Sequence, residues 1–218
     1  MSTAAEISGA LAFDPVDHRY TLDGETLPSV TRILRPLSNA TYASIPRDVL
    51  ANKAAIGQAA HKAAELYDAN RLDVGGLHPV IRPYLDAYVD FRAKRRFLPL
   101  ASELRVWHPG LRYAGTLDTL GTMDGEPALV DLKCTAATMP SVGPQTAAYQ
   151  NAAAETPELG DDLRELARTA RRWCLRLCED GTYRLEACAD PADWRVFLSL
   201  VNLFYFKSRH AKHYESEL

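Results

Sequence analysis

The period of apolar and polar positions changes several times along the chain, and the clearest changes fall at Asp-Gly pairs. Asp23-Gly24, Asp124-Gly125 and Asp180-Gly181 each separate two short runs of extended character. Asp-Gly between such runs signals a hairpin, because a two-residue type I′ turn needs positive φ at both central positions. The runs are 18–22 before the first pair, 115–123 and 127–134 around the second, and 173–179 and 182–188 around the third. A further strand is expected near 102–108.

Helical spacing fills the intervals. Residues 46–70 are Ala-rich with few breakers and end in Asn70, a candidate cap. In 79–97, Val80, Tyr84, Tyr88 and Phe91 recur near helical spacing. Residues 144–154 open with Pro, which suits a first helical turn. Residues 191–211 carry Trp194, Phe197, Leu198, Val201, Leu203, Phe204 and Phe206, with Asp190 placed to cap them. The charged stretch 158–170 reads as a surface segment or a short helix. This order predicts an α/β (α+β) fold, a central mixed β-sheet flanked by helices. No linker divides the chain, so a single domain over 1–218 is expected: an N-terminal hairpin about 12–34, a core about 46–155, and a C-terminal hairpin and helix about 171–213.

The chain has 218 residues, 47% of them hydrophobic, enough for a well-buried core. No apolar run approaches a bilayer-spanning length, and the opening Met-Ser-Thr-Ala-Ala-Glu lacks the basic and apolar regions of a signal peptide. A cytoplasmic protein with no membrane partner is expected. The net charge of −3 argues at first against a nucleic-acid partner. A site that holds divalent metals must concentrate carboxylates, however, and the metals reverse the local field. The positive charge is also clustered: Arg92, Lys94, Arg95 and Arg96 in one place, Lys207, Arg209, His210, Lys212 and His213 in another. Each cluster either meets phosphates or is the solvated end of a helix, and the residues alone leave both readings open. Cys134, Cys174, Cys178 and Cys188 show no C-x-x-C spacing, so a zinc ribbon is not indicated. Most are expected to be buried free thiols, with Cys174 and Cys178 on one side of a strand.

The chemistry concentrates in Gly115-Thr-Leu-Asp118, the Asp-Gly turn, and Val130-Asp131-Leu132-Lys133. Side chains alternate along a strand, so Asp131 and Lys133 project from the same side. Mirroring positions about the 124–125 turn sets Asp118 opposite Asp131. Like charges paired across strands destabilise a sheet, and an apolar strand is an odd place for them. A bound Mg²⁺ or Mn²⁺ resolves the conflict, since a hard cation takes oxygen ligands and keeps waters for substrate. A lysine beside them orients or deprotonates a water, or stabilises charge on phosphorus. The competing reading is a surface hairpin with ordinary salt bridges.

Two helical pairs bear on that choice. His61 and Glu65, four apart, share a helix face and both carry metal-ligand atoms. Gln145 and Tyr149, also four apart, present an amide and a phenol suited to a phosphate or to the lysine. Read singly, each pair is equally an ordinary polar helix face. Taken in order, His61-x3-Glu65, Gly115-x2-Asp118, Asp131-x-Lys133 and Gln145-x3-Tyr149 resemble the four successive motifs of RecB-type nucleases in the PD-(D/E)XK superfamily. Residues 27–34, Leu-Pro-Ser-Val-Thr-Arg-Ile-Leu, look like the segment that precedes those motifs in phage and prophage members. The 173–188 hairpin and final aromatic helix are also similar to that group, so the resemblance spans nearly the whole chain.

That resemblance implies a restriction-endonuclease-like core and a Mg²⁺- or Mn²⁺-dependent cut in DNA, by an exonuclease in phage recombination or DNA processing. It implies Asp118, Asp131, His61 and Glu65 as metal ligands, with the Leu132 carbonyl as a further one. It makes Lys133 the catalytic lysine, Glu65 part of the catalytic set, and Gln145 and Tyr149 its support at the substrate. Glu103, on the strand before Asp118, also looks family-like without a defined role. Arg95 and Arg96 are expected to meet DNA phosphates. Two positions depart from the family pattern: Leu117 stands where others carry Pro, and Cys134 precedes Thr135 where Thr usually follows the lysine directly. Relatives with an iron–sulfur cluster place one cysteine before these motifs; none precedes Cys134 here, so no cluster is expected. A phosphate loop of the G-x4-G-K-[ST] type is absent, so helicase action would need a helicase partner, and a recombinase partner or an oligomer is also compatible. Two other classes compete: a non-catalytic DNA-binding or regulatory subunit that keeps the fold, and an unrelated α/β protein with no metal site.

Overall fold

A computed structural model describes residues 11–42, 47–135 and 138–211. The N-terminal six residues, the Pro46 helix start, and Lys212 and His213 of the second basic cluster lie outside the described residues.

The chain opens with a small antiparallel sheet of β1 (Ala12–Asp14), β2 (Arg19–Leu22) and β3 (Glu25–Leu27), in that order. Asp23 and Gly24 take φ of 52° and 81°, as the two-residue turn requires. Helices α1 (Val30–Ile33), α2 (Arg35–Tyr42), α3 (Arg47–Asp68) and α4 (Arg82–Lys94) follow. Asn70 takes φ 53°; its N–H reaches the Tyr67 carbonyl and the Arg71 N–H the Leu66 carbonyl, the paired bonds of a Schellman cap. The end of α3 is tied to α4 through Asp68, which takes Arg92 Nη1 at 2.7 Å and the Tyr88 hydroxyl at 2.6 Å.

The central sheet runs β4-β5-β6-β7-β8, from β4 (Leu98–His108), β5 (Tyr113–Met123), β6 (Glu126–Lys133), β7 (Arg171–Leu177) and β8 (Tyr183–Ala187). β6 and β7 are parallel and the other pairs antiparallel, so the sheet is mixed. The parallel pair needs a crossover, which α5 (Val142–Glu155) and α6 (Asp161–Thr169) provide. Helix α7 (Asp193–Arg209) closes the fold. Contrary to the expectation from the sequence, Asp190 is not its N-cap: Ala192 holds that place without a side-chain cap bond, and the Asp190 carboxylate accepts the Ala192 N–H at 2.8 Å in the turn before the helix.

Two apolar clusters show why β6 carries an almost unbroken apolar run. Leu129 packs with Tyr149, Ala152, Phe197 and Val201 under α5 and α7. Ala128, Val130 and Leu132 pack with Ala60, Ala64, Tyr88 and Phe91 of α3 and α4. Helices thus cover both faces, the restriction-endonuclease-like arrangement expected. By alternation, Asp131 and Lys133 share the face of Leu129.

Four further local expectations are corrected. Helix α4 starts at Arg82, and Val80 lies outside it, 48% exposed, because Pro83 favours the first turn. Cys178 lies beyond the end of β7, so it does not share a strand face with Cys174. Only Cys174 of the four thiols is buried; all four are free. The third Asp-Gly pair does not form a two-residue turn: Leu177 pairs with Tyr183, the Cys178 N–H bonds the Thr182 carbonyl, and only Gly181 takes positive φ, at 82°. Its longer loop places one left-handed residue, which Gly takes at no steric cost.

Candidate metal centre

The β5–β6 hairpin is the frame of the site. Asp124 and Gly125 take φ of 55° and 92°, and pairing runs from Met123↔Glu126 to Thr119↔Val130. The next pair in that register is Asp118 and Asp131, and there the ladder stops. Instead, Asp118 Oδ2 accepts the Leu132 N–H at 2.6 Å. On its other side, β5 pairs with β4 through Ser102↔Thr119 and Leu104↔Leu117, and the intervening Glu103 takes φ 50°. A left-handed non-glycine residue inside a strand costs about 1–3 kcal/mol and tends to mark functional sites. Leu117 and Leu120 of β5, three apart, both enter the same apolar cluster, a departure from strict strand alternation.

Helix α3 adds a fourth group. His61 Nδ1 lies 3.5 Å from Asp118 Oδ1. His61, Glu103 and Asp118 each offer a ligand atom within 4.8 Å of one another. They line a cleft of about 410 Å³ together with Glu65, Gly115 and Tyr149. Glu65 turns its carboxylate onto Lys62 Nζ, at 2.7 and 2.8 Å. Beside them, Asp131 is 1% exposed and meets Lys133 Nζ at 2.5 Å through Oδ2. Its Oδ1 has no hydrogen-bond partner among the described residues.

The electrostatics follow from burial and crowding. Burial, then the Asp118 charge, pushes the Glu103 carboxyl up to about 7. Burial also raises Asp131, against the pull of Lys133. Asp118 is held low despite its burial, chiefly by His61 and then Lys133. Burial alone would lower Lys133, but Asp131 and Asp118 outweigh it, so the ammonium stays charged. His61 is raised in the same way by Asp118, against its burial. Carboxylates crowded together while one buried oxygen lacks a donor are a set that a divalent cation satisfies; the residues fit such an ion.

Tyr149 and Gln145 close the α5 side. Gln145 Nε2 donates to the Tyr149 hydroxyl at 3.2 Å, and burial holds that phenol protonated. Gly115 makes room for the ring: a Cβ there would stand 2.5 Å from Tyr149 Cε1. The opposite wall comes from the N-terminal sheet, where the Tyr20 hydroxyl bonds Thr116 Oγ1 at 2.8 Å. The sequence carried no signal for that contact, since the N-terminal hairpin is recognisable only as a hairpin.

The structure therefore brings together His61, Glu65, Asp118, Asp131, Lys133 and Tyr149, with Gln145 bonded to Tyr149, and adds Glu103. The Leu132 N–H is bonded to Asp118. It does not bring Arg95 or Arg96 to this cleft. Arg95 pairs with Asp124 at 2.8 Å and Arg96 with the same carboxylate at 3.4 Å, at the turn end of the hairpin. Lys94 is held by Asp90 at 2.8 Å and Arg92 by Asp68.

A family model described as the PD-(D/E)XK nuclease superfamily matches residues 40–202. No curated protein matches the chain.

Proposed function

This chain belongs to the PD-(D/E)XK nuclease superfamily, and we propose that it is a Mg²⁺- or Mn²⁺-dependent deoxyribonuclease, acting as an exonuclease in phage or prophage recombination or DNA processing. The observation that carries this reading is the meeting of His61, Glu103 and Asp118 within 4.8 Å, next to the buried Asp131–Lys133 pair. These groups come from three strands and a helix, and an ordinary surface hairpin has no reason to gather them.

His61, Glu65, Asp118, Asp131 and the Leu132 carbonyl would hold the cation, joined by Glu103. A divalent cation held there would supply polarisation of a phosphoryl oxygen and a more acidic bound water. Lys133 Nζ, kept protonated by its two carboxylate neighbours, supplies positive charge where the phosphate gains negative charge. It acts as an electrostatic and orienting group rather than as the base. Tyr149 remains a donor because burial prevents its ionisation. Gln145 already donates to the phenol oxygen, so the phenolic hydrogen is left for a phosphate oxygen of the strand.

The test is cleavage of linear and closed-circular DNA with Mg²⁺, Mn²⁺ or EDTA, beside the Asp131→Asn protein. Metal-dependent loss of linear DNA that the variant fails to reproduce supports the nuclease, and sparing of the circle supports an exonuclease. Intact DNA under every condition overturns it.

A further inference from the structure

The metal cleft does not end at its carboxylates. A second compartment of about 480 Å³ adjoins it and shares His18, Ser29 and Thr31 as lining residues. Its remaining walls include Arg19 of β2, Arg32 of α1 and Arg35 of α2. These residues lie before residue 40, where the match to the nuclease superfamily begins. The N-terminal sheet is nevertheless locked to the nuclease hairpin. Ser29 bridges Ala114, the Ala114 N–H bonds the Pro28 carbonyl at 3.0 Å, and Tyr20 bonds Thr116.

We propose that this second compartment is the track for the substrate's backbone, and that it admits one strand of DNA rather than a duplex. The inference rests on the nuclease reading for the identity of the polymer. Charge complementarity is the first argument. The carboxylate end of the combined groove is negative, and the far end carries Arg19, Arg32 and Arg35 against Asp17. A strand whose scissile phosphate sits at the carboxylates and whose neighbouring phosphates sit at the arginines meets cations at both places, metal at one and guanidinium at the other.

Size is the second argument. Each compartment has the volume of a pocket for one drug-sized molecule. That is room for roughly one or two nucleotides apiece, whereas seating a duplex would need room for the paired strand as well. Two of the arginines are also held in place. Arg32 stacks over Phe204 of α7, 5.6 Å from the ring centroid. Arg19 is braced by Asp17 at 3.3 Å and Asp14 at 3.6 Å. His18, at φ 48°, packs edge-on to Phe13 and Tyr20, which sets its ring at the junction of the two compartments.

The test reads binding without cleavage, so it stands apart from the fate of the nuclease reading. A dye-labelled 12-nucleotide single strand and the matching blunt duplex are titrated in EDTA across a salt series. The wild-type protein is expected to bind the single strand more tightly. Arg19→Ala/Arg35→Ala is expected to bind it about tenfold more weakly, with a log K against log salt slope shallower by about 1.4, for two phosphates released. Arg19→Lys/Arg35→Lys keeps the charges and is expected to keep the slope. Arg71→Ala/Arg82→Ala removes the same charge from exposed positions outside the groove and serves as the comparison. Equal or tighter binding of the duplex overturns the proposal, as does a slope in the Arg19→Ala/Arg35→Ala protein no shallower than in that comparison variant.

Discussion

Asp118 Oδ2 accepts the Leu132 backbone N–H at 2.6 Å, just where the β5–β6 ladder stops. One carboxylate therefore terminates the strand pairing with one oxygen and faces His61 with the other. The opening of the hairpin at this point and the presentation of an acid to the cleft are the same event. A residue in that position has two jobs that substitution can separate.

Asp118→Asn keeps an oxygen for the Leu132 N–H and loses the charge. Cleavage should fall at least about a hundredfold, and the melting temperature in EDTA should fall modestly, because His61 and Lys133, which hold the Asp118 carboxylate ionised, lose that charge. Asp118→Ala should be equally inactive yet melt lower, since a backbone donor is left without its partner at a cost of about 1–3 kcal/mol. Thermal melts of the two variants side by side check this; identical melting would remove the structural job.

Lys133 is the only cation within ion-pair distance of Asp131 among the described residues. Lys133→Ala should lower turnover by about a hundredfold or more while metal affinity, read by calorimetry, changes far less. It should also cost about 3 kcal/mol, because it strands a buried carboxylate. Lys133→Met/Asp131→Asn should recover most of that stability and none of the activity. Unchanged turnover in Lys133→Ala would refute its catalytic role.

Glu103 gives the metal-free protein a pH signature. Its folded-state pKa of about 7 lies above the usual value of about 4.3 for glutamate. The folded state thus retains a proton that the unfolded chain releases in that window, so stability in EDTA should decline as pH rises from about 4.3 towards 7. His61 and Asp131, both raised, act in the same direction. Glu103→Gln should flatten the decline, and a saturating divalent cation should reverse it. Melts across pH, with and without EDTA, provide the measurement, and a rising curve in EDTA would contradict the assignment.

Gly115→Ala tests the fit between β5 and α5. The added methyl meets Tyr149 Cε1 at 2.5 Å and Val30 at 3.2 Å. Destabilisation of about 1–3 kcal/mol is expected from overpacking, with a loss of cleavage larger than the loss of stability explains, because Tyr149 is displaced. Full activity would show that the phenol's position is unimportant.

The sequence by itself determined what is short-ranged. Asp124-Gly125 specifies a two-residue turn through its φ requirements, and that turn fixes the register that sets Asp118 against Asp131 and leaves Asp131 and Lys133 on one face. The Ala-rich run and Asn70 specify α3 and its end for the same kind of reason, local backbone preference. Tertiary structure alone decided the rest. His61 reaches Asp118, and Glu103 joins the cluster, because α3 packs where Ala60, Ala63 and Ala64 let it approach the sheet and because β4 breaks its regular geometry at φ 50°. Arg95 and Arg96 go to Asp124 because the end of α4 lands beside the turn rather than beside the cleft. Such contacts join residues far apart in the chain, and their free energy comes from packing and charge pairing summed over both cores. No window of sequence contains that sum, so the groove past Ser29 and Thr31 became visible only when the N-terminal sheet was seen against β5.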